Sequence, residues 1–302
     1  MKVAAIFGEK QGGLVDKPDP KPQGDVVVVK VRVVPMCTEY KAFAAGHRTE
    51  SLGHEAAGEV VEIAQPGRVK VGDRVVVMPQ YPCGKCPLCV SGDYIYCQNN
   101  RNVLQSTNNV AGTATYAQFL LKQDWLLLPI PNDLSYEHAS MACCGLGPTF
   151  GAMQRMNVDA FDTVLITGMG PVGLGGVINA VYRGARVIAV ESHPYRARLA
   201  KELGAMTVLD PNDPDALAKI RDLTNGVGVD KAIDCSGATS ARRLLIDAAR
   251  RRGQVALVGE GGDFTVHGSN DMIRKGLTLH GSWHFNLADA PRLMQVIRAS
   301  GG

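Results

Sequence analysis

Four of the chain's eight cysteines, Cys83, Cys86, Cys89 and Cys97, sit in one short loop, YPCGKCPLCVSGDYIYC, with the spacing C-x2-C-x2-C-x7-C. Four thiolates so spaced on a Gly- and Pro-containing stretch can close around one tetrahedral zinc, and a site filled by four protein ligands leaves no position for water or substrate. The chemistry implied is structural. An iron–sulfur centre also takes four cysteines and is the chemical rival. Disulfides fit poorly in a reducing compartment, and a nucleic-acid zinc ribbon would show two C-x2-C pairs roughly 15–20 residues apart, which this loop does not.

A second group is built from glycine. Gly168-Met169-Gly170-Pro171-Val172-Gly173 follows the apolar run Val164-Leu165-Ile166-Thr167 and opens a helical stretch. In that context Gly168 permits a tight turn, Gly170 lets backbone approach a pyrophosphate, and Gly173 lets the helix pack on the strand. The helix N-terminus, begun by Pro171 and Val172, then faces the phosphates. The next strand ends at Glu191, 191 − 168 = 23 residues after the first glycine, near the roughly 20 expected of an acid that binds the ribose hydroxyls. A carboxylate there repels a 2′-phosphate, which favours NAD. His193 and Arg196 follow closely and keep NADP as the alternative.

The elements that must position these groups change character along the chain. From Met1 to about Pro148 the runs Val26–Val34, Ala57–Ile63 and Asp73–Pro79 are β-rich and broken by Pro and Gly, which predicts a strand-rich domain over residues 1–150. From Asp162 the rhythm becomes strand, helix, strand, through DTVLITG, PVGLGGVINAVYRG, ARVIAVES, PYRARLAKELGA, KAIDCSG, QVALVGE and LTLHGSW. Nearly continuous apolar strands alternating with helices predict a doubly wound parallel sheet over residues 151–285.

Composition sets the outer limits. At 302 residues two domains are expected, and 45% hydrophobic residues, 20% charged residues and a net charge of +3 give no electrostatic case for nucleic acid. Arg242-Arg243 and Arg250-Arg251-Arg252 read as solvated helix faces and ends. MKVAAIFGEK lacks a signal-peptide core and no window is apolar enough for a membrane span, so a cytoplasmic location is expected.

A strand-rich half carrying this four-cysteine loop, followed by a Rossmann half, resembles the zinc-containing medium-chain alcohol and polyol dehydrogenases over essentially the whole chain. The resemblance implies a GroES-like catalytic domain, a homo-oligomer (dimer or tetramer), and NAD(P)-dependent oxidation of an alcohol at a second, catalytic zinc. Gly53-His54-Glu55 with Gly58-Glu59-Val60 matches the family's G-H-E-x-x-G-x-V signature, making His54 a zinc ligand and placing Glu55 beside the metal. Cys37 matches the first cysteine ligand. The third is sought in CCGLGPTFGA, where counting back from Phe150 selects Cys144, with Cys143 the alternative; Glu55 is a further candidate, since some polyol-oxidising relatives use a glutamate. A Cys/His/Cys site with an open fourth position polarises a substrate oxygen as a Lewis acid. Cys235, inside KAIDCSG, reads as a core residue.

Two departures stand out. The family's Cys, any residue, Ser or Thr, Asp pattern is here Cys37-Thr38-Glu39-Tyr40-Lys41. A one-residue deletion aligns Gly46 and makes Thr38 the proton-relay hydroxyl, Glu39 the acid after it and Lys41 the stand-in for a histidine; Tyr40 is the alternative hydroxyl. The chain also stops at Ser300-Gly301-Gly302, where relatives continue through a strand, loop and helix, so residues 286–302 are expected to be the start of a return to the catalytic domain. The expected reaction is hydride transfer from a secondary alcohol, a polyol, sugar or hydroxy-amino compound, to NAD with two zinc ions per chain. Glu55, Lys41, His280, Trp283 and His284 resemble the sorbitol and threonine dehydrogenase branch. The rivals are a zinc-free NADPH-dependent carbonyl or quinone reductase and a non-catalytic cofactor-binding protein.

Overall fold

The computed structural model describes residues 1–301, which divide into two compact units: Met1–Cys143 with Asn286–Arg298, and Cys144–Phe285 with Ala299–Gly301. The chain passes between them at Cys143–Cys144, and residue 150, the expected boundary, lies inside the helix Gly147–Met156.

The first unit begins with an antiparallel pair, β1 (Lys2–Gly8) and β2 (Gln11–Asp16). Its main sheet is formed by β3 (Val26–Val33), β4 (Ala56–Glu62), β5 (Arg74–Val77), β6 (Phe119–Gln123) and β7 (Leu127–Pro129) in the order β6-β3-β4-β5-β7, all antiparallel. Alternation decides the two faces. Val27 and Val29 pack with Val60, Val75, Val77 and Leu120, whereas Val26 and Val28 turn to the other side and pack with Val103 and Leu121.

The second unit holds β8 (Thr163–Thr167), β9 (Arg186–Val190), β10 (Thr207–Leu209), β11 (Val229–Asp234), β12 (Ala249–Leu257) and β13 (Thr278–Gly281). They form one parallel sheet in the order β10-β9-β8-β11-β12-β13. Both faces are covered, which explains the continuous apolar strands. Val164, Ile166, Ala189 and Ile233 pack with Val177 and Ala180 of the helix Pro171–Tyr182. Leu165, Ile188, Ala232 and Val255 face Ile220, Leu245 and Ile246.

The arginine runs depart from expectation. Arg242, on the helix Thr239–Ala248, is buried because Asp234 takes its charge inside the unit, whereas Arg251 and Arg252 are solvated as expected but lie, with Arg250, on β12 rather than a helix. No helix among the described residues is long and apolar enough to cross a membrane.

Candidate active site and metal centres

In the four-cysteine loop all four sulfurs lie within 4.8 Å of one another. Cys86 and Cys89 are 3.5 Å apart, and Cys83–Cys89 and Cys86–Cys97 are each 3.9 Å apart. A tetrahedron with metal–sulfur distances of about 2.3 Å has edges of about 3.8 Å, whereas bonded sulfurs sit at about 2.05 Å. The cluster therefore fits a metal. Backbone N–H groups of Cys83 and Asn99 point at the Cys97 sulfur, and that of Cys86 at Cys83, each at 3.4 Å, and such donors favour thiolates. The Lys85 N–H chiefly holds the Cys83 thiol down to about 6, while burial pushes Cys89 up to about 12. Four thiolates within 4.8 Å of one another need a cation to offset their mutual repulsion.

The loop is anchored at both ends. Gln123 Nε2 donates to Pro82 O at 2.7 Å and the Tyr81 hydroxyl to Leu121 O at 3.1 Å. Lys122 Nζ donates to Gln80 O at 2.8 Å and lies 3.8 Å from the Tyr81 ring centre, where burial lowers its pKa to about 7. Tyr94 is fully buried and meets Trp125 edge-on, centroids 6.2 Å apart. From the far end of the sequence, Asn286 Nδ2 donates to Ser91 O at 2.8 Å and to Asp93 Oδ1 at 3.0 Å.

The second cluster of the first unit is of a different kind. Gly53 turns the chain at φ +91°, and a Cβ there would stand 2.1 Å from Thr115 Oγ1, so the backbone before His54 is fixed by the absence of a side chain. His54, Cys37 and the buried Glu55 bring their ligand atoms within 4.8 Å of one another. Glu39 sits behind them, 7% exposed, at the start of the short helix Glu39–Ala45. Its Oε1 lies 2.7 Å from His54 Nδ1 and its Oε2 accepts the Cys37 N–H at 2.9 Å, while His54 Nε2 is 3.8 Å from Glu55 Oε1. Cys37 and then Glu39 raise the imidazole pKa to about 10. Burial opposes ionisation of Glu39, yet hydrogen bonds from His54 and backbone N–H groups leave it below the usual carboxylate range.

Glu39 is thus a carboxylate that orients a histidine, the arrangement found behind metal-binding imidazoles. Thr38, Tyr40 and Lys41 are exposed; Thr38 occupies the cap position of the short helix, and its carbonyl accepts the Lys41 N–H at 2.9 Å. Gly46 ends that helix at φ +72°. Tyr116, which no motif singled out, has its hydroxyl bonded to Pro35 O at 3.2 Å and its pKa pushed up to about 12 by burial and the nearby Glu39 and Glu55.

Cys144 opens the second unit. It is half-buried, with its sulfur within 4.8 Å of a ring nitrogen of His284, whereas Cys143, the last residue of the first unit's long segment, is wholly buried. Phe150, the aromatic used to select Cys144, is buried against Phe285 at 6.1 Å. Cys235, expected in the core, is half-buried and packs against the core's edge, and burial drives its pKa far upward. Trp283 is exposed, and His280 bonds Gln254 Oε1 at 2.8 Å.

At the nucleotide loop, Gly168 has φ +83° and Gly173 comes so close to the turn that a Cβ would lie 1.8 Å from Gly168 O. A Cβ on Gly170 would meet nothing within 4 Å, the open approach a pyrophosphate needs. Glu191 Oε2 accepts the Met169 N–H and Oε1 the His193 N–H, both at 2.8 Å, with Arg196 Nη1 3.9 Å away. The acid is therefore tied to the glycine loop.

Residues 23–132 match the alcohol dehydrogenase GroES-like domain and residues 171–299 the zinc-binding dehydrogenase family. The chain is 35% identical to the uncharacterized zinc-type alcohol dehydrogenase-like protein YphC of Escherichia coli, covering 76% of this chain and 65% of that protein. It is 33% identical to sorbitol dehydrogenase of Bacillus subtilis (86% and 75% covered) and 34% identical to L-threonine 3-dehydrogenase of Pyrococcus horikoshii (93% and 82%). The crystal structure of AibC superposes with a TM-score of 0.83 at 30% identity, covering 99% of this chain and 86% of that one. With the GroES-like and zinc-binding dehydrogenase regions both matched, and relatives above 30% identity along most of their length, the chain belongs to the zinc-type medium-chain alcohol and polyol dehydrogenase family.

Proposed function

We propose that the protein oxidises a secondary alcohol, a polyol, sugar or hydroxy-amino compound, with transfer of hydride to NAD. The observation that carries this reading is the 2.7 Å hydrogen bond between half-buried His54 and buried Glu39, which aims an imidazole at Cys37 and Glu55. Cys37, His54 and Cys144 are the ligands assigned to a catalytic zinc, with Glu55 beside it. When bound there, zinc supplies Lewis-acid polarisation of the substrate oxygen. Glu39 fixes the imidazole's tautomer by taking its Nδ1–H, leaving Nε2 for the metal. The substrate proton leaves through a hydroxyl of the Cys37 loop, assigned to Thr38. Cys83, Cys86, Cys89 and Cys97 hold a second zinc whose work is to brace the loop.

The preference for NAD rests on Glu191, whose carboxylate at the end of β9 retains lone pairs for ribose hydroxyls and opposes a 2′-phosphate. The substrate class rests on the sorbitol and threonine dehydrogenase relatives. Purified protein is assayed for cofactor reduction with NAD and with NADP against sorbitol, arabitol, threonine and simple primary alcohols. Turnover of a polyol or of threonine with NAD is expected. Turnover confined to NADP would overturn the cofactor assignment, and activity confined to primary alcohols would overturn the substrate class.

A further inference from the structure

Asp234 and Arg242 form an ion pair whose side chains are 0% and 8% exposed. Arg242 Nε donates to Asp234 Oδ2 at 2.9 Å, Nη1 to Gly262 O at 2.5 Å and Nη2 to Gly259 O at 2.8 Å. Asp234 Oδ1 accepts the Ser236 N–H at 2.9 Å, the Ser236 hydroxyl at 2.8 Å and the Gly237 N–H at 3.0 Å, and Thr167 Oγ1 stands 3.4 Å away. Thr167 ends β8, Ser236 and Gly237 follow β11, and Gly259–Gly262 follow β12. One buried pair therefore pins the carboxyl ends of three neighbouring strands.

Those ends have a particular place in the sheet. The strand order reverses beside β8, with β9 on one side and β11 and β12 on the other. Ligands of open α/β sheets lie outside the carboxyl ends at such a switch point, one mononucleotide to each side. The β9 side carries Glu191, tied to the glycine loop through the Met169 N–H. On the other side Ser236 packs on the same loop, since a Cβ at Gly168 would stand 2.8 Å from Ser236 Cβ. The loops after β11 and β12 touch backbone to backbone: a Cβ on Gly237 would be 2.1 Å from Glu260 O, and one on Gly261 2.0 Å from Gly237 O.

A buried ion pair adds little net stability compared with apolar residues of the same volume, because desolvation offsets the attraction. Here two guanidinium nitrogens hold loop carbonyls and one carboxylate oxygen holds two loop N–H groups, so what the pair supplies is loop shape. We propose that Asp234 and Arg242 are positioning residues for the nicotinamide-bearing half of the cofactor cleft: they hold residues 235–237 and 259–262 in the form that receives it. This rests on the dinucleotide reading above.

Arg242→Lys keeps a positive charge opposite Asp234 but cannot span both glycine carbonyls. NADH and NADPH binding are read by nicotinamide fluorescence, ADP binding by calorimetry, and folding by the thermal midpoint. The parent is expected to bind NADH; Arg242→Lys is expected to bind it about tenfold or more weakly while its ADP affinity stays within about twofold. Unchanged NADH affinity in the folded variant, or equal weakening of NADH and ADP, would overturn the positioning role, since a merely structural defect spares neither half. If Arg242→Lys fails to fold, the neutral pair Asp234→Asn with Arg242→Gln is read by the same criteria. A parent that binds neither dinucleotide defeats the cofactor reading itself, an outcome visible before any variant is made.

Discussion

The two cysteine-bearing clusters of the first unit are built on opposite principles. Around Cys83, Cys86, Cys89 and Cys97 the neighbours of the sulfurs are backbone N–H groups, and the surrounding side chains, Tyr94, Trp125, Gln123 and Asn286, lock the loop in place. Around Cys37 and His54 the neighbours are two buried carboxylates, Glu39 and Glu55. Four thiolates close a tetrahedron and leave nothing to react, whereas a mixed set tuned by carboxylates keeps a position open and adjusts the basicity of its ligands. On the function proposed above, the denser cysteine cluster is the less reactive one.

The sharpest break between the two is His54→Ala. Losing several kcal/mol of Lewis-acid stabilisation is expected to lower turnover about 10^3-fold or more in protein that circular dichroism shows to be folded. Cys86→Ser should do the reverse. Opening the four-sulfur cluster is expected to lower the thermal midpoint by about 5–10 °C while kcat of the protein still folded at low temperature stays near the parent's. A loss of kcat in fully folded Cys86→Ser, seen by circular dichroism, would erase the distinction.

Glu39→Gln tests the carboxylate support and is expected to cost about 10–100-fold in activity or in zinc affinity. Cys37 and then Glu39, acting on His54, set a pH dependence. The imidazole's pKa is about 10 in the folded protein against 6.5 ordinarily. In metal-free protein its stabilisation is therefore complete below pH 6.5 and is lost as pH rises through about 10. Since zinc binds neutral imidazole, metal affinity should climb across that interval, and less steeply in Glu39→Gln; titration with zinc at several pH values measures both slopes. The smallest effect is expected of Asn286→Ala, which removes two hydrogen bonds to the zinc loop and the cap of Ala288 N–H, for about 1–2 kcal/mol in urea unfolding and no change in kcat.

Much of this was legible in the chain because it is local. Val26–Val33 and the strands β8, β9, β11 and β12 announce themselves by apolar runs, and Gly168 to Gly173 by its place between strand and helix. What was not legible is long-range pairing. Nothing in the periodicity around Arg242 says that Asp234, eight residues earlier on another element, will bury it. Nor does Asn286 carry any mark of its contact with Asp93, 193 residues away in sequence. Glu39 is readable as the acid after Thr38, but its bond to His54 emerges only when the chain folds to bring residues fifteen apart in sequence together. The three-residue strand β10 is too short to show a period, and the helix Gly147–Met156 is hidden by a cysteine-bearing approach that reads as a ligand segment.

The central claim, one closed metal site that braces and one open site that reacts, is tested most directly by zinc content per chain in the parent and in His54→Ala. Two zinc ions in the parent and one in the variant, with its fold retained, are predicted. One zinc in the parent, or two retained by His54→Ala, would contradict it.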